Sequence, residues 1–265
     1  MKQQDIQREQ LFTKDHKVPK VSLILTTYNS EDNLKTTLNS IEMQDYPAIE
    51  VNIKDGGSTD RTLSIIEQYA KDSKYVVQWQ TGADKGLYDA MNQGYGVSTG
   101  DVIVCFNDRF MAPDVVTKMI RVMEENPDCV GVHADLVYAT EDKVVRYWKM
   151  GPQKSLYLGW MPGHPTLFLK RKVYETYGLY DDSFRIAADY EFMIRFLKDK
   201  ENKLAYLPET IISMYYGGVS TNTTFSYIDS LKEGHRALHS NGVRFASWID
   251  LLRTCRVLLQ FVMRE

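Results

Sequence analysis

Between Val21 and Glu125, short apolar runs alternate with segments of helical period, and this alternation restricts the fold more than any other feature of the chain. Val21–Thr27 (VSLILTT) is nearly continuously apolar, as expected of a strand buried on both faces. Leu34, Leu38 and Ile41 then recur at helical spacing until Tyr46-Pro47. Val51–Lys54 reads as a second strand, Thr62–Lys71 as a helix and Tyr75–Gln80 as a third strand. Leu87–Val97 reads as a helix, Asp101–Asn107 as a fourth strand, and Ala112–Glu125 as a helix entered through Pro113. Strands separated by single helices predict parallel pairing with right-handed crossovers. Ligands of such sheets bind outside the carboxyl ends of the strands.

The pattern changes after Glu125. Val130–Tyr138 and Lys143–Met150 predict two strands around the turn Thr140–Asp142. Pro162–Leu169 predicts a loop and a short strand, Ala187–Lys198 a helix, and Leu204–Leu207 a short strand. Residues 217–224 read as a loop, followed by helices near Ser226–His239 and Ser247–Met263. No repeat or low-complexity linker divides the 265 residues, so one α/β domain with a C-terminal helical extension is expected.

Bulk properties narrow the function. A formal net charge of −3 argues against non-specific nucleic-acid binding. Cys105, Cys129 and Cys255 form no CxxC pair, so neither a disulfide framework nor a zinc site is expected, and a reducing compartment is. The polar start MKQQDIQREQ does not read as a signal peptide, and no run of about 18 apolar residues predicts a membrane span.

The most informative strand end is VNIKDGGSTD, Val51–Asp60. A β-branched run stops at Asp55, two glycines permit a tight turn and close ligand approach, and a helix follows. Ser58, Thr59 and Asp60 read as caps for that helix. The turn after the first strand, TTYNSEDN, lacks the GxGxxG of a dinucleotide site, which disfavours a Rossmann dehydrogenase.

VSLILTTYNSEDNLKTTLNSI, VNIKDGGSTDRTLSII and DKGLYDAMNQGYGVSTGDVIVCFN, in this order, resemble the opening of a family-2 glycosyltransferase of GT-A fold. PGHPTLFLKRKVYETYGLYDDSFRIAADYEFMIRF resembles bacterial members that build O-antigen and other exopolysaccharides. The resemblance covers roughly Lys20 to Pro208. It implies a Rossmann-like, mostly parallel central sheet flanked by helices. Residues 1–20 would be a polar arm and 21–215 the transferase domain, with a nucleotide-sugar half to about 110 and an acceptor half beyond it. Residues 216–265 would form the helical extension.

The resemblance also implies residue roles. Thr27, Tyr28 and Asn29 would line the nucleotide pocket, with Tyr28 stacking on a base; the plainer reading is a capping turn and a core tyrosine. Asp55 would hydrogen-bond base or ribose; the plainer reading is a turn acid bonding its own backbone. Asp84, Lys85 and Gly86 would touch the nucleotide, although Lys85 also suits an exposed turn. Relatives carry a carboxylate pair such as N-x-D-D after the fourth strand, where this chain has Asn107-Asp108-Arg109-Phe110. Without gaps, Arg109 and Phe110 replace the pair, and Arg109 would neutralise a diphosphate. With a two-residue deletion, Asp108 keeps one carboxylate, which suffices for Mn²⁺ or Mg²⁺ shared with phosphate oxygens.

Asp189, in AADYE, would be the catalytic base, with Glu191 the second choice and helix capping the plainer role. His164 and Trp160 lie in the loop that would face donor sugar and acceptor. His235 and His239 stand four apart without a third ligand and read as a solvated helix face. The final helix carries Leu251, Leu258, Phe261 and Arg253, Arg256 and Arg264, which suits a membrane surface, a second copy of the chain, or the domain itself. The expected enzyme is cytoplasmic, at most touching the inner face of the plasma membrane. It would be inverting and transfer sugar from a UDP-sugar to a glycan or polyprenyl-diphosphate-linked acceptor. A non-catalytic nucleotide-sugar-binding subunit is the alternative.

Overall fold

The structure is a computed structural model that describes residues 18–140, 142–215 and 224–262. The predicted arm, apart from its last three residues, and the predicted loop 217–224, apart from Thr224, lie outside the described residues.

Strands β1 (Val21–Thr27), β2 (Ile49–Asp55), β3 (Val76–Thr81) and β4 (Val102–Cys105) pair in parallel in the order β3-β2-β1-β4. Their connections carry α1 (Leu34–Glu42), α2 (Thr62–Asp72) and α3 (Leu87–Val97). The chain adds β2 and β3 on one side of β1 and then crosses to β4 on the other. That reversal opens a crevice at the carboxyl ends of β1 and β4.

The apolar runs follow from cover on both faces. Leu23, Leu25, Val102 and Val104 join a core with α1, α2 and α4 (Val115–Glu125). Ile24, Ile103 and Cys105 point the other way, into a core with Tyr88 and Met91 of α3. There α3 lies close to the sheet, because a Cβ on Gly94 would fall 2.5 Å from Ile24 Cγ2.

The second half is mixed rather than parallel. Strand β5 (Arg109–Phe110) pairs with β9 (Leu204–Tyr215), and β6 (Gly131–Ala139) bonds β7 (Val144–Trp148), β8 (Phe168–Lys170) and β9. Strand β8 also pairs antiparallel with β4, which joins both halves into one sheet. Helices α5 (Arg171–Tyr177) and α6 (Ala188–Leu197) complete the second core.

Two differences from expectation have local causes. Strand β9 runs on to Tyr215, beyond the predicted Leu207. Pro208 cannot donate to a ladder, and pairing resumes at Thr210 after a register shift opposite Ala134–Asp135. Helix α5 was not predicted; it is under two turns long and buries only Val173 and Tyr174, too little to show a period.

The extension forms α7 (Thr224–Ser240) and α8 (Ala246–Val262). His235 Nδ1 lies 2.7 Å from Asp250 Oδ2 and ties the two helices together. Helix α8 rests on the turn Leu156–Leu158, where Gly159 has φ +65 and a Cβ would meet Arg253 N at 2.6 Å. Among the described residues no helix is long and apolar enough to cross a membrane.

Candidate active site

The strand ends place Thr27, Asp55 and Thr81 in register across β1, β2 and β3. Their side chains bond one another. Asp55 Oδ1 accepts from the hydroxyls of Thr27 (3.0 Å) and Ser58 (2.5 Å). Its Oδ2 accepts from the amides of Gly57 and Ser58, both 2.9 Å, and the Thr81 hydroxyl, 2.7 Å. Burial alone would raise this carboxyl, but the bonds from Ser58, Thr81 and Thr27 outweigh it and hold the pKa low. Asp55 is fully buried and both its oxygens are committed to the chain. These bonds shape the Gly56–Ser58 turn.

That turn forms a narrow cleft. A Cβ on Gly56 would meet Asp84 Oδ2 at 3.0 Å and the Tyr28 ring at 3.3 Å. Tyr28 is exposed at the rim, and Asn29, at φ 45, accepts the Thr59 amide through its side chain at 2.9 Å. Buried Lys54 donates to the carbonyls of Asp55 and Gly82, both 2.6 Å, and faces Asp84 at 3.3 Å. Asp84 also accepts the Gly86 amide at 3.0 Å. Lys85 points elsewhere, to Asp182 at 3.3 Å on the surface.

A cavity of about 1200 Å³ opens over the ends of β1 and β4. It brings together Thr27, Asn29, Asn107, Asp108, Trp160, His164 and Asp189. Asn107 locks the two strand ends together, accepting from the Thr26 amide (2.9 Å) and donating to its hydroxyl (2.7 Å). Asp108 then faces the cavity, and no cation or hydrogen-bond donor meets it among the described residues. Burial pushes its carboxyl up to about 7. Arg109 is turned away on β5, opposite Ser213, and does not line the cavity. Of the two readings of this motif, the geometry fits the one with Asp108 as the retained acid.

Asp189 lies in the first turn of α6. Its Oδ1 accepts the Tyr190 amide at 2.8 Å and faces the Tyr88 hydroxyl at 3.0 Å, which leaves Oδ2 for the cavity. Burial and the Asp189 charge raise the Tyr88 phenol, so it stays protonated. Glu191 is spent elsewhere, on Arg195 and on Asn241 Nδ2 at 2.9 Å, and is absent from the cavity wall. His164 Nε2 lies 2.8 Å from the Tyr180 hydroxyl; burial lowers its pKa against the pull of Asp189, so the ring is neutral. Trp160 is almost wholly buried and donates Nε1–H to the Met150 carbonyl at 2.9 Å.

Helices α7 and α8 close the far wall with Glu233, Arg253, Arg256 and Gln260, and Lys149 and Arg185 add positive charge. Sequence reasoning missed these residues. Tyr88 lay within the recognisable stretch DKGLYDAMN, but Glu233 carries no local signal, because its partners are at positions 185–187. No group of three or more His, Cys, Asp or Glu residues suited to a metal occurs among the described residues. Asp108 fits a cation as a single carboxylate whose remaining ligands come from a diphosphate and water.

A parallel first half, a mixed second half and a carboxylate-bearing cavity between them define a GT-A architecture. Residues 22–197 match the family model "Glycosyl transferase family 2", and the chain belongs to that family. It is similar to an uncharacterized glycosyltransferase of Mycobacterium tuberculosis, with 32% identity over 67% of this chain and 68% of the relative. A PGL/p-HBAD biosynthesis glycosyltransferase of Mycobacterium bovis is 27% identical over 76% of this chain and 79% of its own. Among solved structures, S. aureus TarS 1-349 in complex with UDP-GlcNAc superposes with a TM-score of 0.66. That match has 17% identity and covers 89% of this chain and 72% of TarS 1-349. The mannosyltransferase PcManGT from Pyrobaculum calidifontis, in complex with GDP-Man and Mn²⁺, gives a TM-score of 0.64 at 17% identity. It covers 93% of this chain and 76% of the mannosyltransferase.

Proposed function

We propose that this glycosyltransferase moves a sugar, with inversion, from a UDP-sugar to a glycan or lipid-linked acceptor of bacterial surface-polysaccharide assembly. The observation that carries the reading is two carboxylates in different environments on one cavity. Asp189 Oδ1 accepts the Tyr190 amide and stands beside the Tyr88 hydroxyl, which leaves Oδ2 for the cavity, whereas Asp108 is desolvated and meets no partner among the described residues. A base and a cation site call for these two environments. The UDP-GlcNAc in TarS and the GDP-Man in the mannosyltransferase support a nucleotide-sugar donor on this fold.

In this reading the cleft of Tyr28, Gly56 and Asp84 takes the nucleotide, and Thr27, Asn29 and Asn107 shape the floor of the donor site. Lys85 and Arg109 are the outlying members of the proposed set. Asp189 Oδ2 takes the acceptor hydroxyl proton as that oxygen bonds the anomeric carbon. The bond from that carbon to the diphosphate breaks on the opposite face, and the nucleoside diphosphate leaves with the electron pair. Neutral His164 and the Trp160 loop orient the acceptor. Mn²⁺ or Mg²⁺ on Asp108 would neutralise the leaving diphosphate, alongside Arg253 and Arg256. The outward face of α8 exposes Trp248, Leu251 and Leu258, with Phe245 exposed in the turn before it, and we read it as the surface that meets the inner membrane leaflet or a second copy.

The test is UDP release from a panel of UDP-sugars, with the anomeric configuration of the product read by NMR. Asp189→Asn should lower kcat by about 10²- to 10⁴-fold and leave UDP affinity unchanged. Retained configuration, or full activity of the variant, would overturn the assignment. UDP-sugar binding with no turnover under any condition would instead favour a non-catalytic binding subunit, the reading to which the single carboxylate at Asp108 points.

A further inference from the structure

Helix α6, which presents Asp189, begins at an N-cap, Ala187, that has no side-chain acceptor. The amides at a helix start need partners. Here the amides around that start find one in the C-terminal extension. Glu233 Oε1 on α7 accepts the amide of Arg185 at 3.0 Å, and Oε2 accepts those of Ile186 at 2.8 Å and Ala187 at 2.9 Å.

The contact continues to the base. The Ile186 carbonyl accepts from the Tyr88 hydroxyl at 2.7 Å, and the same hydroxyl stands 3.0 Å from Asp189 Oδ1. One peptide unit and one phenol therefore join the Glu233 carboxylate to the Asp189 carboxylate. One turn further along α7, Arg236 donates to the Ser183 carbonyl at 2.8 Å and stacks on the Phe184 ring at 3.7 Å. Segment 183–187 is thus gripped along its length by α7. An anion at this helix start is also favoured by the helix dipole. The family match ends at residue 197, so both gripping residues lie outside it.

We propose that Glu233 is the positioning residue for Asp189, and that the C-terminal extension acts in sugar transfer by fixing the base through Ile186 and Tyr88. The inference rests on Asp189 as the base. A carboxylate is required because one side chain must accept three N–H bonds; a glutamine offers a single acceptor oxygen. Loss of the grip lets Ile186 move, Tyr88 follows its carbonyl, and the free oxygen of Asp189 leaves its line to the acceptor. The donor contacts proposed at the ends of β1–β4 make no hydrogen bond to Glu233 or to segment 183–187 among the described residues, and those proposed from Arg253 and Arg256 stand on α8.

The experiment compares Glu233→Gln, Glu233→Ala, Tyr88→Phe, Asp189→Asn and the Glu233→Ala/Tyr88→Phe double variant. It reads kcat and donor KM from UDP release, UDP affinity by calorimetry, and melting temperature. Glu233→Ala should lower kcat about 10- to 100-fold, as a displacement near 1 Å does, with donor KM and UDP affinity within about twofold of the parent. Glu233→Gln, which keeps the side-chain volume, should fall between. The double variant should be no more than about threefold worse than the poorer single variant, because both act on one chain of bonds. Multiplying losses, or lost UDP affinity, would show a merely structural role and overturn the proposal. An inactive Asp189→Asn beside fully active Glu233→Ala and Glu233→Gln overturns this inference alone. Full activity in Asp189→Asn overturns the base assignment with it.

Discussion

Replacing Asp55 separates two roles that the motif KDGGSTD leaves entangled. The carboxylate accepts two hydroxyls on Oδ1, and two amides and one hydroxyl on Oδ2. In Asp55→Asn the side-chain oxygen must face the amides of Gly57 and Ser58, since an amide N–H cannot accept. The new NH₂ then faces the Thr27 and Ser58 hydroxyls, which rotate and accept. The contacts survive as neutral bonds. Bonds to a charge are worth about 1.5–3 kcal/mol and neutral ones about 0.5–1.5, so three bonds to the oxygen lose about 3 kcal/mol together. In Asp55→Ala the hydroxyls can turn to other acceptors, but two amides are stranded, each at about 1–3 kcal/mol. With the lost bonds, a total near 5 kcal/mol is expected, a large part of the stability of most domains. Urea unfolding followed by circular dichroism should rank parent, Asn and Ala with gaps of about 3 and 2 kcal/mol. UDP affinity, titrated in parallel, should fall in the same order as the Gly56–Ser58 turn loosens. An Asn variant of unchanged stability that no longer binds UDP would refute this reasoning and make Asp55 a direct nucleotide ligand.

Two further outcomes follow from the titrating carboxylates. Mn²⁺ must displace the proton of Asp108, whose pKa is raised to about 7. Its affinity in the presence of UDP should therefore rise about tenfold from pH 6 to pH 8, level off above that, and lose this dependence in Asp108→Asn; calorimetry at three pH values is the check. Glu50 behaves in the opposite sense. Burial opposes its charge, but bonds from Lys20, Ser22 and Thr99 dominate and bring it from 4.5 down to about 2. A lowered folded value means that its stabilisation, on the order of 3 kcal/mol, is complete above pH 4.5 and lost as the pH falls towards 2. Glu50→Gln should be less stable at pH 7 and flatter between pH 5 and 2 in chemical denaturation; an unchanged acid limb would refute the assignment.

The parallel half was legible because its signals are local. Leu23, Leu25 and Ile24 fill two cores from one strand, so the run had to be apolar throughout, and the glycines at 56 and 57 marked the turn. The second half was harder to read. Pro208 suggested a strand end where a register shift merely passes it by, and α5 is too short to show a period. Within the site, the strand-end positions Thr27, Asn107 and Asp108 were legible, as was Asp189 at a helix start. Charge placement was not. Lys85 and Arg109 are basic neighbours in sequence that turn to the surface, while Lys149, Arg185, Arg253 and Arg256 reach the cavity only through tertiary folding. Asp55 was recognised with both of its roles open, because a carboxylate reads alike whether its partners are amides of its own turn or a ligand.

The far wall of the cavity has a consequence in time. Synthesis runs from the N-terminus, so β1–β4 and Asp189 all emerge before Glu233, Arg253 and Gln260. The core under α1, α2 and α4 draws its buried residues from positions up to 212 and can form while the chain is still growing, whereas the second core waits for Ala237, Leu238 and Ile249. Segment 183–187 ahead of Asp189 is gripped, and the wall closed, only after α7 and α8 have left the ribosome. On the proposed reading, full transfer would thereby wait for α7 and α8, and a product that stops at the end of the sheet would keep the nucleotide cleft without the grip on Asp189.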